Sequence, residues 1–100
     1  MANLTPTEKA AWQRRHRQKR LDYLTWIKRA EGCADCGYNA HAVALDFDHR
    51  PDEEKLGNIA DMVTYSMTKL YDEIAKCDVV CANCHRVRTA IKFKFSGTTT

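Results

Sequence analysis

The sequence predicts a small α+β domain led by one long helix, and three observations predict it. The chain has 100 residues, the size of one domain. Its positive charge is concentrated near the N-terminus, where nothing between Pro6 and Ala30 breaks a helix. Two Cys-x-x-Cys pairs, Cys33/Cys36 and Cys81/Cys84, bracket a segment with a strand-like alternation. A domain this small buries only about 60–70% of the surface its unfolded chain exposes, so a metal staple would reinforce a thin core.

The first element starts at Thr5-Pro6-Thr7-Glu8. Thr5 can cap, Pro6 suits the first helical position, and Glu8 completes a capping box. Every residue from Gln13 to Arg20 is polar or charged, whereas Leu21, Tyr23, Leu24, Ile27 and Ala30 form a stripe at helical spacing. The second half is therefore expected to pack on the body and the first half to project. Gly32 ends the helix.

Cys33-Ala34-Asp35-Cys36-Gly37 reads as a tight knuckle. Ala42 to Asp48 alternates, with Val43, Leu45 and Phe47 on one face and Ala44, Asp46 and Asp48 on the other, which is a half-buried strand ending at His49. Arg50 to Lys55 is a polar loop stopped by Pro51. Asn58 caps a short helix through Val63, and Ser66 caps another with Met67, Leu70, Tyr71 and Ile74 on its buried face. Cys77 to Val80 is the candidate second strand. A last helix runs from about Asn83 to Phe95, with Val87, Ile91 and Phe95 at i, i+4 spacing. The organisation is one domain over 1–100: a basic helix over 1–31, a knuckle-and-strand core over 32–95, and a disordered tail over 96–100.

Hydrophobic residues make up 44% of the chain, as in a globular protein, and no apolar run approaches the ~18 residues of a membrane span. The first residues contain no apolar leader, so a cytoplasmic setting is expected. In a reducing cytosol five cysteines point to metal or free thiols rather than disulfides. The net charge of +3 divides into +6 over residues 1–30 and −3 over residues 31–100. A basic arm carrying Arg14, Arg15, Arg17, Lys19 and Arg20 suits a polyanion; the alternative is a solvated helix face.

Zinc takes four soft or borderline ligands in a tetrahedron, and an i, i+3 pair across a tight turn supplies two thiolates without strain. Two such turns complete a site from Cys33, Cys36, Cys81 and Cys84; the alternative is buried thiols or a redox pair. Forty-four residues separate Cys36 from Cys81, more than a simple zinc ribbon needs, so a real element is inserted. Cys77 is left over as a small buried residue; the alternative is a part in metal or redox chemistry.

That insert ends its strand in Asp48-His49, and the second knuckle is followed at once by His85. Asp48 and His85 suit a divalent ion such as Mg²⁺ or Mn²⁺, or a later transition metal. His49, on the other face of the strand or its following turn, suits a general base. These are the parts phosphodiester hydrolysis requires, with Arg86, Arg88 and Arg50 as candidate phosphate holders. Taken singly, Asp48-His49 reads as a turn capper, and His85 as a helix N-terminal residue or a substitute zinc ligand.

Cys33-x-x-Cys36, Leu45-Asp46-Phe47-Asp48-His49 and Lys76-Cys77-Asp78-Val79-Val80-Cys81-Ala82-Asn83-Cys84-His85-Arg86 together resemble the small HNH endonucleases of phages and bacteria, some of them endonuclease VII-like. The resemblance covers roughly residues 25–92. It implies a ββα-metal fold with a separate structural Zn²⁺, and a catalytic divalent ion (Mg²⁺, Mn²⁺ or Ni²⁺) on Asp48 and His85. It further implies His49 as base and hydrolysis of DNA, duplex or branched, to 5′-phosphate and 3′-hydroxyl ends. The protein would act in the cytoplasm (that of the bacterial host if phage-encoded), as monomer or dimer. The family's middle Asn has no match at Lys76-Cys77-Asp78; Asp78, Asn83 or a backbone group would take its place, with Asn58 far upstream. A different class, a non-catalytic zinc-stabilised nucleic-acid-binding module, carries the same zinc and arm. A third, a protein-interaction adaptor docking through the long helix, is favoured by Trp12 alone.

Overall fold

The computed structural model describes residues 3–95, with 93–95 as backbone only. The tail expected over 96–100 lies outside the described residues. Helix α1 spans Pro6–Glu31, strand β1 Leu45–His49, helix α2 Met67–Ile74, strand β2 Cys77–Cys81 and helix α3 Ala82–Phe95. This is a small α+β fold with a long leading helix and a two-stranded sheet. Among the described residues no helix is long and apolar enough to cross a membrane.

Helix α1 begins with half of the expected capping box: the Thr5 hydroxyl accepts the Glu8 amide at 3.1 Å, while the Glu8 carboxylate accepts the Thr5 hydroxyl at 2.9 Å rather than the Thr5 amide. Gly32, at φ +68°, donates its amide to Lys28 and closes the helix in a conformation that side chains rarely adopt. Leu24 and Ile27 are buried and Leu21 and Tyr23 half-buried, while Trp12 to Lys19 stand in solvent. The two halves thus divide as their polarity predicts, and the molecule measures 60 × 28 × 20 Å. Ala30, at the end of the stripe, is exposed.

Strands β1 and β2 pair antiparallel, Leu45 opposite Cys81 and His49 opposite Cys77. The strand expected from Ala42 begins only at Leu45. Residues Ala42–Ala44 form a 3-10 turn instead, and Val43 is 94% exposed. The ladder sets this limit, because β2 turns into α3 directly after Cys81 and leaves nothing for residues before Leu45 to pair with. Because opposed residues share a face, Leu45, Phe47 and His49 lie on one side of the sheet and Asp46 and Asp48 on the other.

One core cluster gathers Leu24, Ile59, Met62, Val63, Leu70 and Cys77, and a second gathers Cys33, Leu45, Val79, Val80 and Cys81. Phe47 packs against both and joins them. In α2, Ser66 caps as expected by accepting the Lys69 amide. Its inner face is displaced from the expected one: Leu70 is fully buried and Met67 and Ile74 partly so, but Tyr71 is 48% exposed, edge-on to Tyr23. Glu73 takes the inward position, 1% exposed. Asn58 precedes a 3-10 turn, Ile59–Met62, without a side-chain cap bond. On α3, Val87 and Ile91 face outward, because the inward face is occupied by His85 and Arg88 reaching the strand aspartates.

Candidate functional site

The first knuckle is shaped by its backbone. Cys33 donates to Tyr38 and accepts from Gly37, each at 2.8 Å, and Ala34 donates to Val79 at 2.7 Å, docking the turn on β2. Gly37 adopts φ +83°, as the turn demands. The second knuckle is the corner where β2 becomes α3, with the Cys84 amide directed at the Cys81 sulfur. The Sγ atoms of Cys33, Cys36, Cys81 and Cys84 all lie within 4.8 Å of one another, a cluster that could hold a structural metal ion such as zinc. Burial pushes the Cys33 thiol up, but amide hydrogen bonds from Cys81, Cys36 and Asp35 outweigh it and bring the thiol down to about 6. The Cys84 thiol goes the opposite way, upward, because it donates to the neighbouring Cys81 sulfur. Four crowded thiols cannot all ionise without a cation among them, and a bound ion resolves that conflict. Cys77 stays apart from the cluster, and burial raises its thiol to about 11, an inert core residue.

A cleft of about 550 Å³ runs along the unpaired edge of β1. Asp46, Asp48, His49, Asn58 and His85 line it, together with Lys28, Lys55 and Lys92. His85, in the first turn of α3, comes within 3.6 Å of Asp48 through Nε2, while its Nδ1 lies 3.1 Å from Asp46. A carboxylate on one ring nitrogen leaves the other for a metal, and Asp48 Oδ1 and His85 Nε2 are near enough to share one ion at bond lengths of about 2.1 Å. His49 approaches from the other face of β1 and places Nε2 2.8 Å from the buried Glu73 Oε2. For Glu73, burial raises the carboxyl, but hydrogen bonds from Lys76, the Leu56 amide and His49 outweigh it and hold the group down at about 2.

The expected phosphate holders part company. Arg88 spends its guanidinium on Asp35 (2.7 and 2.8 Å), Asp48 (3.0 Å) and Asp78 (3.1 Å), linking the first knuckle to the strand aspartates. The Arg88 guanidinium beside Asp35 holds that carboxyl below the usual carboxylate range. Arg50 bonds the carbonyls of Ala75 and Cys77 and the Asp78 carboxylate, and lines a hollow separate from the Asp48–His85 cleft. Arg86 is exposed on α3. On the arm, Arg14, Arg15, Arg17 and Lys19 are exposed, whereas Arg20 donates to the carbonyls of Val63 and Tyr65 and pins α1 to the body. Trp12 stacks on His16 with ring centroids 4.8 Å apart.

Asn83 is not among the cleft residues and Asp78 is tied to Arg88 and Arg50, but Asn58, far upstream in sequence, lines the cleft. Lys28, Lys55 and Lys92 are cleft residues that sequence reasoning missed; they come from α1, a loop and α3, and no spacing unites them. Glu73 was missed as well. Its signal was a carboxylate three residues beyond Leu70 on the core-facing side of an amphipathic helix.

No protein-family model matches the chain, and neither a curated protein nor a solved structure is significantly similar to it. The fold and cluster define a small α+β protein with a four-cysteine site able to hold a structural metal ion such as zinc.

Proposed function

We propose that this chain is an HNH-type, divalent-metal-dependent endonuclease that hydrolyses DNA phosphodiester bonds, leaving 5′-phosphate and 3′-hydroxyl ends. One observation carries the reading: Asp48 and His85, 37 positions apart in sequence, converge to 3.6 Å in a cleft that His49 also lines. An antiparallel strand pair followed by a helix frames this cleft, the arrangement that the resemblance to HNH endonucleases implies for a ββα-metal site.

Asp48 and His85 are the ligands for the divalent ion, which when bound stabilises charge on the phosphate and on the departing 3′-oxygen. Asp46, bonded to the Nδ1 side of His85, keeps Nε2 turned toward Asp48. His49 takes the proton of a water whose oxygen attacks phosphorus. Asn58 takes the part of the family's middle Asn. Lys28, Lys55 and Lys92 hold the phosphate backbone in the cleft, and Arg14, Arg15, Arg17 and Lys19 extend the contact along the arm. Lys28 also lies 5.3 Å over the Phe47 ring, which keeps its stem against β1.

The test is nicking of supercoiled plasmid by purified, zinc-loaded protein with Mg²⁺, Mn²⁺, Ni²⁺ or EDTA, beside His49→Ala. Cutting that requires the added ion and falls on the order of 10²-fold or more in the variant is expected. A folded wild type that binds DNA but cuts neither duplex, branched DNA nor RNA would establish the non-catalytic binding module instead.

A further inference from the structure

Glu73 is the buried charged side chain of the described residues, 1% exposed on the core-facing side of α2. Burying a carboxylate where an apolar residue would pack carries a desolvation cost that only hydrogen bonds and paired charge offset. Its oxygens are fully used. Oε1 accepts Lys76 Nζ at 2.9 Å, and Oε2 accepts both the Leu56 amide at 2.9 Å and His49 Nε2 at 2.8 Å. The first two bonds hold the loop between β1 and α2, where Lys76 also reaches the Glu54 carbonyl. The third adds nothing to that loop and reaches the one imidazole whose ring borders the cleft on this face of β1.

We propose that Glu73 is a positioning residue for His49: by accepting the Nε2 hydrogen it fixes the imidazole in the Nε2–H tautomer and leaves Nδ1 as the nitrogen with a free lone pair. This rests on the endonuclease reading above. An ionised carboxylate can only accept, so the shared hydrogen belongs to the ring, and a neutral ring holding it at Nε2 has its basic atom at Nδ1. The same bond fixes the ring plane, so the base need not be ordered when substrate arrives. Asp46 does to His85 what Glu73 does to His49, and the two carboxylates thereby assign the two histidines different tasks. The Asp46 bond leaves Nε2 of His85 beside Asp48, and the Glu73 bond leaves Nδ1 of His49 as the base. The proton abstracted from water is taken up at Nδ1, the water oxygen bonds to phosphorus, and the bond from phosphorus to the 3′-oxygen breaks, its electron pair leaving on that oxygen, which takes a proton from solvent to become the 3′-hydroxyl.

The experiment compares zinc-loaded wild type, Glu73→Gln and His49→Ala. Long-range ¹H–¹⁵N spectra of the imidazoles report each tautomer directly, and single-turnover plasmid cutting with added Mn²⁺ is measured with DNA affinity alongside. The expected results are a single Nε2–H tautomer at His49 in wild type and a mixed population in Glu73→Gln. In that variant cutting falls on the order of 10²-fold while DNA affinity stays within about twofold. A wild-type His49 in the Nδ1–H form overturns the proposal whether or not the variant folds. So does a folded Glu73→Gln that cuts at the wild-type rate, and in that case the endonuclease reading stands. A wild type that does not cut overturns that reading and the role of Glu73 together.

Discussion

The four-cysteine cluster and the acid–histidine cleft share the corner where β2 becomes α3, yet they are built in opposite ways. Each half of the cluster is local: two residues separate its two thiols, and a tight turn does the rest. The cleft has no local half. Asp48 and His85 meet only because β1 pairs with β2 in one register, and His49 is held only because α2 delivers Glu73 to the far face of the same strand. A one-residue slip of the ladder would exchange the faces, turning Asp48 to the core and His49 to α3. The cluster contributes that register, since Cys81 is both a candidate ligand and the last rung opposite Leu45. One site is therefore a condition of the other, and the dependence runs in one direction.

The sharpest way to break this asymmetry is Cys81→Ser. Structural zinc contributes roughly 10–16 kcal/mol of apparent binding free energy in small domains. A whole domain is stable by only about 5–15 kcal/mol. The variant is expected to lose its zinc and its cooperative melt, whereas Cys77→Ser, outside the cluster, keeps the metal. Metal content by atomic absorption and a thermal melt decide it; a Cys81→Ser protein with full zinc and an unchanged Tm would detach the cluster from the fold. Asp48→Asn runs the comparison from the other side. It should abolish cutting while leaving zinc content and Tm near wild type.

What could be read in the sequence follows the same division. The cap at Thr5, the stop at Gly32, the two knuckles and the cap at Ser66 all depend on residues within a few positions, and each is where the sequence puts it. The start of β1 was misplaced because alternation from Ala42 onward says nothing about whether a partner strand extends that far. Tyr71 and Glu73 exchanged roles because hydrophobicity at helical spacing ignores a carboxylate with three donors waiting. Asn58 and the three cleft lysines were illegible for one physical reason, that only the closed chain brings them to the same edge.

A smaller effect is expected at the arm, which neither site needs. Replacing Arg14, Arg15 and Arg17 with Ala leaves the capped helix and the Arg20 anchor intact. DNA affinity should fall roughly tenfold or more at moderate salt, and the slope of log affinity against log salt should flatten by up to about 3. Zinc content and Tm should not move. Binding titrations at several salt concentrations measure the slope, and an unchanged one would return these arginines to the role of a solvated helix face.

The smallest effect tests a side chain that bridges the two regions. Arg88 grips Asp35 of the first knuckle with a two-pronged contact and reaches Asp48 and Asp78 of the strands with the same guanidinium. Lysine keeps the charge but offers a single point of contact, so Arg88→Lys can serve one of these carboxylates and not all three. Arg88 and its three carboxylate partners are all partly exposed, and solvent screening limits the loss. Tm is expected to fall by about 3–6 °C with zinc retained. The informative readout is the ratio of two changes. If Arg88 only braces the knuckle, cutting should follow stability and recover at lower temperature. If it also holds Asp48 in place for the divalent ion, cutting stays depressed well below Tm and recovers as the concentration of Mn²⁺ is raised. The second outcome is expected, because the 3.0 Å bond to Asp48 Oδ2 leaves Oδ1 as the oxygen facing His85.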